Sequence, residues 1–181
     1  MAKKWVRFPH ADAYGFDVAA LRKNWTRLHR GDSEPVPKDS SALDAWRNFH
    51  AGDFSGAVQA GLAADGAGIK AAIKAQAIYA NYLEEADKDK LALFEGAAKL
   101  ADEHRKRAPA DANAHYLYAY ALGRYSQGIS VTKALAQGFG SKIKEALLTA
   151  LNWTRSTRKR IRRTEPIRPR SSTRWAAWSP G

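Results

Sequence analysis

At 181 residues with 45% apolar side chains, the chain is long enough for one domain with a real core and too apolar for disorder over most of its length. It contains no cysteine, which excludes disulfides, thiolate nucleophiles, CxxC metal sites and a lipid-anchoring thiol. The net charge of +12 is unevenly placed: nine of the 30 Lys/Arg but only one of the 18 acids, Glu165, follow Leu151, so that stretch carries +8 and the body is mildly basic.

No apolar run is long enough to span a bilayer, and no apolar h-region follows Lys3 and Lys4. A cytoplasmic protein without membrane contact is expected. Residues 1–40 read as an irregular segment plus one helix, with Trp5, Val6, Phe8, Tyr14 and Phe16 as anchors. Asp17 is a good N-cap for that helix, which Gly31 ends, and Val18, Leu21, Trp25 and Leu28 give it one apolar face. Pro35 and Pro37 hold the following loop extended.

Ser41 to Ala64 reads as two helices around a Gly52-Asp53 turn. Leu43, Trp46 and Phe49 recur at threes on one side; Phe54, Val58 and Leu62 recur at fours on the other. Small residues at Ala45, Ala57, Gly61 and Ala64 let the pair approach closely. A third helix is expected over Ile69–Ala86 with the stripe Ile69, Ile73, Gln76, Ala80, Leu83; Ile78, Tyr79 and Tyr82 make a second side apolar. Lys90–Arg107 follows, with Leu91, Phe94, Ala98 and Ala101 inward and Glu95/Lys99, Asp102/Lys106 and Glu103/Arg107 paired at i,i+4. Pro109 stops it and Asp111 caps a tyrosine-rich helix. In that helix Leu117, Ala121, Leu122 and Tyr125 form one stripe, and Tyr116, Tyr120 and Arg124 another. Ile129–Gly138 reads as an inserted short helix, and Ser141 as the cap of a last helix whose Ile143, Leu147 and Leu151 face the core.

No strand pattern is convincing. The expected fold is all-α, an array of antiparallel helical hairpins over 41–151 with an irregular basic tail at 152–181.

The five histidines are scattered, and no HExxH, paired metal-ligand spacing or Gly-rich phosphate loop occurs. The Gly66-Ala67-Gly68 run follows a helix rather than a strand, so it is not a dinucleotide loop. His50 lies three residues before Asp53, an arrangement that is structural far more often than catalytic. No catalytic residue, metal site or cofactor is expected, and the chain is read as a non-enzyme.

The residues AWRNFHAGDFSGAVQAGLAA, and EGAAKLADEHRKRAPADANAHYLYAYALG followed by KIKEALLTAL, resemble the tetratricopeptide-repeat family. Gly52, Phe54 and Ala57 match the family's glycine, aromatic and alanine around a hairpin turn, and Pro109 its repeat-ending proline. The irregular form is similar to helical-array proteins of the regulator-of-microtubule-dynamics type, whose bacterial relatives include periplasmic transporter-associated T components. The resemblance implies an α-solenoid with a right-handed superhelix whose concave groove holds a protein or peptide segment. Carried onto matching positions, it points to Trp46, His50, Asn113, Tyr116, Tyr120 and Arg124. It also leaves open a transport-associated helical ligand-binding protein.

After Leu151 the composition switches to Arg, Ser, Thr, Pro and Trp, which GC-rich DNA yields when read out of frame. Reading from the last base of the Trp153 codon gives Asp-Pro-Gln-His-Ala-Glu-Ala-His with GC-rich codons, a fitting continuation of a repeat helix. A frameshifted, truncated member of a longer repeat protein is therefore expected. Read as a selected sequence instead, the tail offers Arg155, Arg158, Lys159, Arg160, Arg162 and Arg163 to nucleic acid or another polyanion, with Trp175 or Trp178 stacking on bases. Loss of downstream repeats leaves the last helix uncovered and predicts self-association.

Overall fold

The computed structural model describes residues 5–164, and side chains through Arg155 except Asp12. Among these residues there are eight α-helices, one 3₁₀ turn at Ala11–Ala13 and no strand. The protein is all-α.

The helices are α1 (Val18–Leu28), α2 (Ser40–His50), α3 (Phe54–Ala63), α4 (Ile69–Tyr82), α5 (Asp87–Arg107), α6 (Ala112–Gln127), α7 (Val131–Ala136) and α8 (Phe139–Thr164). Their starts follow from side-chain caps. Asp17, Asp39, Asp53 and Asp111 each accept hydrogen bonds from backbone N–H groups of the first turn that would otherwise be orphaned. From α2 to α6 each helix packs on the next, and α8 packs on α6. α2 and α6 also touch α4, so these three share one side of the molecule.

The α2–α3 turn needs Gly52, which sits at φ +78°. A side chain there would also strike the Phe8 ring, at 2.5 Å from Cδ1. α3 and α4 cross at Gly61, where an added Cβ would meet the Gly68 carbonyl at 2.7 Å and Ala72 Cβ at 2.8 Å. Gly61 thus sets the crossing of α3 with α4, not the α2–α3 approach expected from the sequence.

The core has three parts. Leu21, Trp25, Leu43 and Trp46 join α1 to α2; Phe54, Ala57, Ala75 and Tyr79 join α3 to α4; Ile73, Phe94, Leu117, Tyr118 and Leu122 build the largest part among α4, α5 and α6. The N-terminal segment closes the second part: Trp5 stacks on Tyr79 at 4.0 Å, and the Tyr79 hydroxyl accepts a hydrogen bond from Val6 N at 3.0 Å.

Several expectations are corrected. α4 ends at Tyr82 rather than Ala86, because Glu84 Oε1 takes the Ala86 N–H into a turn that begins α5. Tyr82 is exposed and Val18 lies at an open first turn, so neither is core. Arg107 does not pair with Glu103; it reaches Asp65 at the α3–α4 turn, at 2.9 Å. Ser141 does not cap α8, which already begins at Phe139, a buried anchor. Among the described side chains of α8, Phe139, Ala146 and Ala150 are buried, whereas Leu147 and Leu151 are exposed. Alanine at 146 and 150 allows α8 to lie close against α6, and that close approach turns the leucines outward. The tail is not irregular from Asn152: α8 runs through Leu151 to Thr164. That stretch contains no Pro or Gly to interrupt the helix. Trp175 and Trp178 lie outside the described residues.

Candidate functional site

The loop between α1 and α2 places two carboxylates on the side shared by α2, α4 and α6. Asp32 Oδ2 lies 2.7 Å from Lys74 Nζ, and Glu34 Oε1 lies 2.7 Å from Lys70 Nζ. Lys70 also meets Asp111 Oδ2 at 2.5 Å, and the second Glu34 oxygen accepts from Asn113 Nδ2 at 2.7 Å. Lys70 and Glu34 are almost wholly buried, with 7% and 5% of their side chains exposed. Such charges stay ionised inside a protein only when paired and hydrogen-bonded. Burial alone would lower the Lys70 ammonium, but the charges of Glu34 and Asp111 and their hydrogen bonds raise it above its usual value. Burial pulls Asp111 the other way, and Lys70 with the α6 backbone N–H groups brings it below the usual carboxylate range.

Beside this network runs a second chain of contacts. His29 Nδ1 donates to Asp32 Oδ1 at 3.0 Å, and the Nε2 atoms of His29 and His50 share a hydrogen bond, also at 3.0 Å. The His29 ring stacks on Trp25 at 4.2 Å and meets Trp46 edge-on at 4.7 Å. Lys74 stands over Trp46 and Phe49 at 5.6 and 5.4 Å, positions where aromatic faces attract cations. Desolvation lowers His50 to about 4, with the His29 and Lys74 charges adding to it and Asp32 opposing. Burial would raise Asp32, but hydrogen bonds from His29 and Lys74 hold it well below the usual range.

Farther along α6, Tyr116 and Tyr120 stack at 6.4 Å with an 23° interplanar angle, and Arg124 lies over the Tyr120 ring at 5.6 Å. Asn113, Tyr116, Tyr120 and Arg124 follow at spacings of three, four and four, one continuous helix face. Tyr116 is half exposed, and the Arg124 guanidinium meets the Gln127 amide oxygen at 3.5 Å and no carboxylate among the described residues. Burial raises the Tyr120 hydroxyl above its usual value despite Arg124.

The sequence-derived groove residues thus divide. Tyr116, Tyr120 and Arg124 come together on an accessible face. Asn113 is on that face but engaged by Glu34, and His50 is half-buried against His29. Trp46 is only 1% exposed, so it is corrected from groove to core: its ring closes the α1–α2 contact. Of the basic residues Arg155, Arg158, Lys159, Arg160, Arg162 and Arg163, all lie on the helical stretch of α8, and Arg155 is exposed. The sequence reading missed His29, Asp32, Glu34, Lys70 and Lys74. The His29–Asp32 spacing was a local signal; the pairing of the loop acids with α4 had none.

One concavity borders the Lys70–Asp111 pair, and a larger one lies apart from the site. The first, of about 320 Å³, lies at the α3–α4 and α5–α6 turns, against Lys70, His104, Arg107 and Asp111. The second, an open cleft of about 920 Å³, separates the N-terminal segment from the α2–α3 hairpin. Among the described residues no group of three or more His, Cys, Asp or Glu could hold a metal ion, and no helix is long and apolar enough to cross a membrane. No family model matches the sequence, and no curated protein or solved structure matches it either.

Proposed function

We propose that the chain is a non-enzymatic interaction scaffold, a tetratricopeptide-like array whose inner face, made by α2, α4 and α6, holds a segment of another protein. The observation that carries this reading is the Tyr116–Tyr120–Arg124 ladder. Two stacked, partly exposed tyrosines on a rigid helix offer contact area at low entropic cost. Arg124 adds a guanidinium that meets no carboxylate among the described residues, so a peptide with an acidic residue beside an apolar or aromatic one fits the face. The stepwise packing of successive helices and the contact of α4 with both α2 and α6 support the array.

The test is selection from a displayed random-peptide library on the intact chain. Selected peptides are expected to lose at least tenfold in affinity for Tyr116→Ala and for Arg124→Glu. Peptides indifferent to both substitutions would overturn the reading.

A second reading rests on α8. Its continuation to Thr164 sets Arg155, Arg158, Lys159, Arg160, Arg162 and Arg163 on one helical stretch, a geometry suited to a polyanion backbone. A steep fall of nucleic-acid affinity with salt that vanishes when these six are changed to Gln is the expected signature; a salt slope unchanged by those substitutions would remove it.

A further inference from the structure

Asp32 and Glu34 reach from the 31–39 segment onto α4 and α6, as side chains of a bound peptide would. Of this segment only Glu34 and Pro37 are buried. Its links to the two helices are made by carboxylates: Asp32 to Lys74, and Glu34 to Lys70 and Asn113. Three further bonds tie it to α1 and that helix's C-cap His29: Trp25 Nε1 to the Glu34 carbonyl at 2.7 Å, Ser33 N to the His29 carbonyl at 2.7 Å, and His29 Nδ1 to Asp32. Ser33, between the two acids, sits at φ +50°, a conformation that costs any residue with a side chain. A strained segment with little buried apolar surface opens more readily than the helices beneath it.

With the segment lifted away, the face keeps the Lys70 and Lys74 ammonium groups one turn apart on α4, the Asn113 amide, and a single carboxylate, Asp111, on Lys70. That balance is cationic, with an amide donor alongside. Lysines at i,i+4 stand about 6 Å apart at Cβ, and an acid-x-acid segment presents two carboxylates to them, as Asp32-Ser33-Glu34 does.

We propose that Lys70, Lys74 and Asn113 form a carboxylate-reading site that the chain's own Asp32-Ser33-Glu34 occupies, and from which an acid-x-acid segment of a partner protein displaces it. The proposal rests on the inner-face reading above and adds to it the chemistry of the partner and a built-in competitor. Because the middle residue is left-handed, glycine there makes the better ligand.

The probe is the end-blocked peptide Gly-Asp-Gly-Glu-Pro-Val-Pro, titrated by calorimetry into the full chain and into its Asp32→Asn/Glu34→Gln variant. The variant is expected to bind at least tenfold more tightly than the native chain. The control peptide Gly-Asn-Gly-Gln-Pro-Val-Pro is expected not to bind, and adding Lys74→Gln to the variant to cost tenfold. Hydrogen exchange on the native chain supplies a second measurement that needs no variant to fold. The Ser33 and Glu34 amides, bonded to the His29 carbonyl and to Asp32, are expected to exchange well before those of α4, and faster still with saturating peptide. Equal affinity for native and variant chains, or loop amides that exchange no sooner than α4, would overturn the proposal. If the peptide fails while library-selected ligands still depend on Tyr116 and Arg124, this site falls and the inner-face reading stands.

Discussion

Glu34 and Asn113, separated by 79 positions, meet through a 2.7 Å hydrogen bond, and the same carboxylate holds the Lys70 ammonium. One loop residue thereby ties the N-terminal part of the chain to both α4 and α6. Removing it leaves a buried ammonium facing Asp111 alone and an amide donor without its acceptor. Breaking a buried ion pair from one side costs about 3–5 kcal/mol. Glu34→Ala is therefore expected to lower unfolding free energy by about that amount in urea melts, with Glu34→Gln losing less because it keeps an acceptor for Asn113. A loss below about 1 kcal/mol for the alanine variant would mean that solvent already reaches the network.

The α3–α4 crossing gives a steric prediction. Gly61→Ala puts a methyl 2.7 Å from the Gly68 carbonyl, a backbone atom that cannot swing aside. The helices must separate, at about 1–3 kcal/mol. Gly123→Ala, whose new methyl meets only Ile143 Cδ1 at 4.0 Å, is expected to be neutral or slightly stabilising. A thermal-melt comparison of the two decides.

Acid lowers stability in two stages. His50 is lowered in the fold to about 4 from 6.5, chiefly by burial, so the unfolded chain binds the extra proton first. Its contribution is whole above about pH 6.5 and drains away toward pH 4, amounting to at most about 3 kcal/mol before discounting for the solvent that reaches the ring. Asp32, held low against its burial by His29 and Lys74, and Asp111, held low by Lys70 and the α6 backbone, lose theirs only as pH falls below the ordinary carboxylate range. Lys70, raised in the fold, acts at the other end: its stabilisation is lost as pH rises above 10.5 through the higher folded value. His50→Gln should reduce the slope of the stability profile between pH 6.5 and 4, where His104, also lowered by burial, keeps a part, and leave the alkaline limb unchanged. An undiminished slope in that variant would place the acid sensitivity elsewhere.

Leu147, Leu148 and Leu151 expose 39%, 50% and 51% of their surface along α8. Contiguous apolar surface of this kind promotes association. Sedimentation velocity is expected to show concentration-dependent association that Leu148→Lys/Leu151→Lys reduces. A monomer across the range, unchanged by the substitutions, would contradict this.

What the sequence disclosed and what it hid have physical causes. The starts of α1, α3 and α6 were legible because Asp17, Asp53 and Asp111 act within three residues of themselves. The Tyr116–Tyr120–Arg124 face was legible because helical spacing alone brings it together. The inward face of α8 was misread because leucine outweighs alanine in a hydrophobic pattern, while close packing on α6 favours alanine at 146 and 150. Periodicity put Trp46 on an apolar stripe and the repeat resemblance put it in the groove; only the arrival of α1, with Trp25 and His29 against it, decides for the core. The loop carboxylates were invisible as a site since their partners lie 36 to 79 positions away, and no local pattern encodes that meeting.

The most direct test of the inner face as the interaction surface is amide chemical-shift mapping of the chain with a library-selected peptide. The account predicts shifts concentrated on α6 from Asn113 to Arg124 and on the facing residues of α4. Shifts confined to α3, α5 or the basic end of α8, with Tyr116 and Tyr120 unmoved, would contradict it.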